Sequence, residues 1–317
     1  FDHERVPAIQ PVHRVKPLDL QVNGYAGVDF CSSTLEGEEL HVACQALEDD
    51  GVDGILATLI TDSVDSLATK LSNLVRLRAQ DSLVEKMIVG FHVEGPFLNP
   101  AAGYIGAHPS EHACPADVED ARRLLEAGGG LVKIFTLAPE MDPGCGTTGF
   151  LSGEGVTVSA GHCNPSVDQL QSAVEHGLKM VTHFGNGCPV ELPRHDNVLQ
   201  RFLHLRRHLW FGFIPDGAHV EFHALRNYLD LVGVDRAFMV TDAISAARLG
   251  PGLHEISGMT VEVDAGGVAR LPGSPNLAGS TITMSGIRSN LSKKLGLDED
   301  QVRSLIDLNP REAIGHS

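Results

Sequence analysis

Basic residues are scarce in this chain. It has 24 Lys and Arg against 41 Asp and Glu, a formal net charge of −17. A surface this acidic argues against nucleic acid and anionic membranes as partners, since both select a positive field. A small anionic ligand stays possible, because a metal and a few local cations can set the field inside a pocket. No apolar run approaches the roughly 20 residues of a membrane span, and no secretory leader is visible. The six cysteines include no Cys-x-x-Cys pair. Cys163 and Cys188 lie near candidate site residues and read as small buried hydrophobes. No internal repeat or low-complexity linker divides the chain, so a single domain is expected. These absences predict a reducing, cytoplasmic setting. The chain opens on Phe1-Asp2 rather than Met, which points to a native start further upstream.

What is present is an alternation of short apolar runs and helical patterns. The 317 residues suit one (β/α)8 TIM-type barrel, whose typical length is roughly 250 residues plus insertions. Eight strands are predicted: Leu18–Val22, Gly54–Ile60, Met87–Val93, Leu131–Leu137, Val156–Ala160, Met180–Phe184, Leu209–Ile214 and Ala237–Thr241. Their continuous apolar character suits parallel strands buried on both faces. Between the fifth and sixth, Asn164 or Ser166 can cap a helix with Pro165 in its first turn, Val167, Leu170, Val174 and Leu178 at helical spacing, and Gly177 to end it. A second clear helix runs from about Ser63 to Arg78. The Gly- and Pro-rich segment from Met141 to Gly153 predicts a poor helix or none. His254–Leu271 reads as short strands turning at Gly266-Gly267. Helices then start near Ser280 or Thr281 and near Asp298.

The chemistry lies at the strand ends. His92-Val93-Glu94-Gly95-Pro96, Gly161-His162, Thr182-His183 and Val240-Thr241-Asp242 each follow an apolar run. In a barrel of this kind the strand carboxyl ends share one face, so these residues can converge. Glu94, His162 and His183 make a three-ligand metal set with an open position. His162 and His183 are 21 positions apart, one loop–helix–loop–strand return. Asp242 is left free as a proton acceptor. Alternation places His92 inside the barrel, and Lys133, mid-strand, reads as structural. Many metal hydrolases with this barrel carry His-x-His on the first strand and hold two metals. Here Gln21 and Asn23 occupy those places. Neutral amides are weak ligands for zinc or iron beside imidazole and carboxylate, so one metal is expected.

These strings, together with Gln21-Val22-Asn23-Gly24, Phe97-Leu98-Asn99-Pro100, Gly106-Ala107-His108-Pro109, Thr136-Leu137-Ala138-Pro139-Glu140, Asp216-Gly217-Ala218-His219-Val220, Leu277-Ala278-Gly279-Ser280-Thr281 and Asn309-Pro310, resemble the N-acetylglucosamine-6-phosphate deacetylase family of the amidohydrolase superfamily. The resemblance runs from about Leu18 to Gly315. It implies Glu94, His162 and His183 as ligands of one divalent ion, Zn or Fe(II), and Asp242 as general base and acid. It implies that His108 polarises the substrate carbonyl. Asn186, the Gly187 backbone, Arg194 and His219 would hold the sugar phosphate, with Ala107, Leu277, Ala278 and Gly279 lining the sugar. It implies a homodimer with phosphate contacts across the interface.

Three departures are visible. The family's usual Asn-Ala-Met after the second histidine is Asn186-Gly187-Cys188 here, the small terminal β-sandwich is expected to be reduced or missing, and the 141–153 connector looks eroded. Two alternatives stand beside it: another amidohydrolase, acting on N-acetylgalactosamine-6-phosphate or an unphosphorylated amide, and, further off, a non-catalytic sugar-phosphate-binding barrel.

Overall fold

In a computed structural model, residues 15–316 are described except 257–258 and 274–275. Eight parallel strands stand in sequence order: β1 (Leu18–Val22), β2 (Gly54–Ile60), β3 (Ile88–Glu94), β4 (Val132–Leu137), β5 (Thr157–Ala160), β6 (Leu178–Val181), β7 (Trp210–Phe213) and β8 (Ala237–Met239). The ends meet just beyond β8. Asp242 N–H donates to Gln21 O at 2.9 Å, and Asn23 N–H donates to Ala243 O at 2.7 Å. The sheet is thereby a nearly closed TIM-type barrel, as the sequence pattern predicts.

Each strand is followed by a helix: α1 (Gly37–Asp49) and α2 (Val64–Arg78), an extra short α3 (Ser82–Met87) leading into β3, then α4 (Val118–Ala127), α5 (Gly146–Gly153), α6 (Val167–Glu175), α7 (Val198–His204) and α8 (Phe222–Val232). After β8 the chain makes an antiparallel excursion, β9 (Gly252–Ile256), β10 (Met259–Val263) and β11 (Ala269–Arg270), before α9 (Met284–Lys293). Helix α2 forms because Ser63 caps it, its side chain accepting from Ser66 N–H. Leu67, Leu71, Leu74 and Leu77 then repeat on one buried face, each contributing roughly 1.5–3 kcal/mol. Helix α6 opens on a reciprocal capping box between Ser166 and Gln169. Pro165 therefore precedes the cap rather than lying in the first turn.

Two expectations are corrected. The 141–153 connector does contain a helix, α5. The Asp142 carboxylate accepts from Thr147 N–H at 3.1 Å and from Thr148 N–H and Oγ1, both at 2.7 Å. One buried acidic side chain thus supplies the start that a Gly-rich sequence hides. The sixth strand is also displaced, to Leu178–Val181 from the expected Met180–Phe184.

The barrel interior is layered. Leu56, Ile134, Met180 and Phe238, from alternate strands, share one apolar cluster, the arrangement expected inside such a barrel. Two residues further along three of those strands come Thr58, Thr136 and Thr182, all buried and one step nearer the carboxyl ends. Thr136 bonds Thr182 at 2.7 Å, and Ser159 bonds Thr182 at 2.6 Å. His92 belongs to this layer, with Nε2 2.7 Å from Thr136 Oγ1 and Nδ1 3.1 Å from Leu20 O. Burial pushes its pKa down to about 4, so it is a neutral structural imidazole. Among the described residues no helix is long and apolar enough to cross a membrane.

Candidate metal centre and substrate cavity

The polar floor supports a cluster of three buried side chains. Glu94 is the last residue of β3, His162 stands just beyond β5 and His183 just beyond β6. Both histidines and Asp242 have left-handed backbones, with φ of 49°, 32° and 50°. Each strand ends by turning its functional side chain inward, at a cost of order 1–3 kcal/mol per residue that the surrounding fold must carry. His162 is packed tightly against two glycines, where an added methyl group would force a small shift. A Cβ on Gly106 (φ 61°) would lie 3.0 Å from its ring, and one on Gly187 (φ 63°) 3.1 Å from its backbone nitrogen.

His183 Nε2 is 2.9 Å from Glu94 Oε1, His162 Nε2 is 3.5 Å from the same oxygen, and the two imidazole nitrogens are 3.1 Å apart. Donors bound tetrahedrally at 2.0–2.1 Å stand about 3.3 Å apart, so this triangle has the dimensions of one cation's ligand face. His162 Nδ1 lies 2.7 Å from Tyr104 O, which fixes its proton there and turns the Nε2 lone pair to the centre. Burial pushes the Glu94 carboxyl up. The His162 and His183 imidazoles set against it outweigh burial and hold the group well below the usual carboxylate range. A full negative charge is therefore kept at a buried point. The donor set suits a divalent cation, and among the described residues it is the His/Cys/Asp/Glu group that can hold one.

Asp242 and His108 face the same cavity, of about 580 Å³. Burial and the nearby Glu94 charge raise the Asp242 pKa to about 6, against the pull of His183, His219 and Asn23. That value suits a proton acceptor near neutral pH. His108 sits in the long loop after β3. Its Nδ1 accepts from Thr61 N–H at 3.4 Å, with Thr61 Oγ1 at 2.9 Å, so the ring proton is on Nε2. Nε2 points inward, 3.9 Å from Glu94 Oε2. Burial and neighbouring imidazoles push its pKa down to about 3, leaving a neutral N–H donor.

Ala107, Asn186, Gly187, His219, Leu277, Ala278 and Gly279 line this cavity too. His219 is oriented by Asp216, whose Oδ2 lies 2.7 Å from its Nδ1. Arg194 is not brought to the cavity of its own chain. It is exposed in the loop between His183 and α7. Lys133 is also outside the cluster. Sequence reasoning missed Arg270, whose side chain lines the cavity from β11 and is held by Asp264 at 2.8 Å. A lone arginine in the excursion after β8 carries no motif, so nothing marked it.

No family model matches the chain. Its sequence is 30% identical over 311 residues to the N-acetylglucosamine-6-phosphate deacetylase of Danio rerio, over 95% of this chain and 74% of that one. A Mycobacterium smegmatis N-acetyl-D-glucosamine-6-phosphate deacetylase has been solved as an alanine variant in complex with N-acetyl-D-glucosamine-6-phosphate. It matches with a TM-score of 0.85 at 28% identity, covering 95% of this chain and 77% of that one. A second structure of the M. smegmatis deacetylase gives 0.86 at 27% identity, covering 99% and 83%.

Proposed function

Since the chain belongs to the N-acetylglucosamine-6-phosphate deacetylase family, we propose that it hydrolyses the acetamide of N-acetylglucosamine-6-phosphate to glucosamine-6-phosphate and acetate. The observation that carries this reading is the convergence of Glu94, His162 and His183 with Asp242 and His108 on one cavity. Glu94, His162 and His183 would hold a single divalent ion, Zn or Fe(II), which when bound would supply Lewis acidity, lowering the pKa of water from 15.7 towards ~7. Asp242 takes the proton from the attacking water. His108 donates its Nε2–H to the developing oxyanion. Asp242 then gives its proton to the departing amine nitrogen. His219 and the backbones at Gly187 and Leu277–Gly279 position the sugar, with Arg270 adding positive charge at the rim. The barrel and its β9–β11 excursion act as one domain, because both line the cavity.

Acetate release from a panel of substrates tests the reading. N-acetylglucosamine-6-phosphate should be preferred over its galactose epimer and over the sugar without phosphate. Preference for either alternative, or no acetate from any, would overturn the substrate assignment.

Metal stoichiometry is a further expectation. Elemental analysis of reconstituted protein should approach one equivalent per chain, because β1 offers amides where a second ion would need imidazoles. Two equivalents, both required for activity, would contradict this.

Arg194 is assigned to the phosphate in the neighbouring subunit's site of a homodimer, consistent with its exposure on its own chain. A charge-assisted contact is worth roughly 1.5–3 kcal/mol, so Arg194→Ala should cost about ten- to a hundredfold in kcat/KM for the phosphorylated sugar. The loss should be much smaller for the sugar without phosphate. Equal losses on both, or none, would remove Arg194 from phosphate binding.

A further inference from the structure

The amides at the end of β1 remain to be explained. Gln21 and Asn23 are both buried, at the mouth of the barrel, and neither belongs to the ligand triangle. Gln21 Nε2 donates to Glu94 Oε2 at 3.0 Å. The other oxygen, Oε1, is the one that faces His162 and His183. Asn23 Nδ2 donates to Asp242 Oδ1 at 2.7 Å. Asn23 Oδ1 is buried with no hydrogen-bond partner, so the Asp242 carboxylate alone sets the orientation of this amide. The backbones of both residues are fastened to the chain around Asp242, through Asp242 N–H to Gln21 O and Asn23 N–H to Ala243 O.

We infer that Gln21 and Asn23 are positioning residues with separate duties: Gln21 claims one oxygen of Glu94 so that a single oxygen is presented to the cation, and Asn23 fixes Oδ1 of Asp242 so that Oδ2 is the proton acceptor. The inference rests on the metal and base assignments proposed above. The chemistry of the amide suits both duties. The centre already buries two carboxylates. A third carboxylate would repel them, and an ammonium would neutralise the charge that attracts the ion. An amide N–H satisfies a carboxylate oxygen without changing its charge, and such outer partners of ligands typically control 10–100-fold in metal affinity or activity. The two amides are two residues apart, yet each reaches a different carboxylate, so their effects should separate.

The test compares Gln21→Met and Asn23→Leu, which keep approximate volume and remove the donor. Three quantities are measured: melting temperature of the metal-free protein, Zn²⁺ affinity by competition with a chelator, and turnover of N-acetylglucosamine-6-phosphate. Gln21→Met should weaken Zn²⁺ binding about 10- to 100-fold. Asn23→Leu should leave Zn²⁺ affinity unchanged and lower kcat on the order of 10- to 100-fold through misplacement of the base. If either apolar variant fails to fold, Gln21→Ser or Asn23→Ser, whose hydroxyls fall short of the carboxylates, takes its place with the same expectations. Unchanged Zn²⁺ affinity in the Gln21 variant overturns the first duty. Parallel losses of affinity and turnover in both variants, tracking the melting temperature, would mean a merely structural role and overturn the division. A parental protein that binds Zn²⁺ but releases no acetate from N-acetylglucosamine-6-phosphate would refute the substrate reading alone, since the Gln21 duty is still decided by Zn²⁺ affinity and the Asn23 duty by turnover on whichever other panel amide is cleaved. A protein cleaving no amide would overturn the Asn23 duty.

Discussion

Asp242→Asn is expected to lower kcat on the order of 10²–10⁴-fold, the range for loss of a general acid–base group, with no loss of bound metal. Asparagine keeps the shape of the side chain and removes its capacity to hold a proton. Asp242 lies outside the three-atom ligand cluster, so elemental analysis should read the same as for the parental protein. Its pKa is raised to about 6, by burial first and then by Glu94, which makes the carboxylate a base of useful strength near neutral pH. KM should change little, because the proton transfer belongs to the reaction step. Near-normal turnover in the variant, or a loss that merely follows a loss of metal, would show that Asp242 has another role.

The barrel was readable in the sequence because fully buried parallel strands are continuous apolar runs. The predicted span Gly54–Ile60 is the observed β2, residue for residue. The sixth strand was displaced because the apolar run continues through Phe184 while the backbone turns left-handed at His183. Apolar patterning reports burial and cannot see that turn. Helix α5 was hidden for a related reason. Its start depends on Asp142 receiving bonds from Thr147 and Thr148, a local contact that composition alone describes as Gly-rich loop.

The candidate site divides the same way. Glu94, His162, His183 and Asp242 were visible because each ends a strand, and a barrel gathers strand ends. Gln21 and Asn23 were visible only as missing histidines. Their partners lie 73 and 219 positions away, and only the closed sheet brings those segments together. Arg194 was expected in the phosphate site and is exposed on its own chain, away from the cavity.

Glu94→Gln is expected to abolish stoichiometric metal binding and to reduce turnover on the order of 10³-fold or more, because without the ion the pKa of the attacking water returns towards 15.7 from ~7. The substitution keeps size and shape, so the effect isolates charge. In the parental chain the buried carboxylate accepts from Gln21 on Oε2 and faces the two imidazoles with Oε1. In the variant one of those positions becomes an NH2 group. Turned towards Gln21 it sets donor against donor, and turned towards His162 and His183 it fills the ligand position with protons. Either arrangement leaves a buried polar group badly paired, at about 1–3 kcal/mol, which the melting temperature of the metal-free protein would register. The decisive comparison is recovery after chelation. Adding Zn²⁺ back should restore turnover in the parental protein and leave Glu94→Gln inactive across the same concentration range. If the variant instead takes up one equivalent and turns over normally, Glu94 is not a ligand, and the triangle it forms with His162 and His183 is a hydrogen-bonded cluster rather than a metal centre.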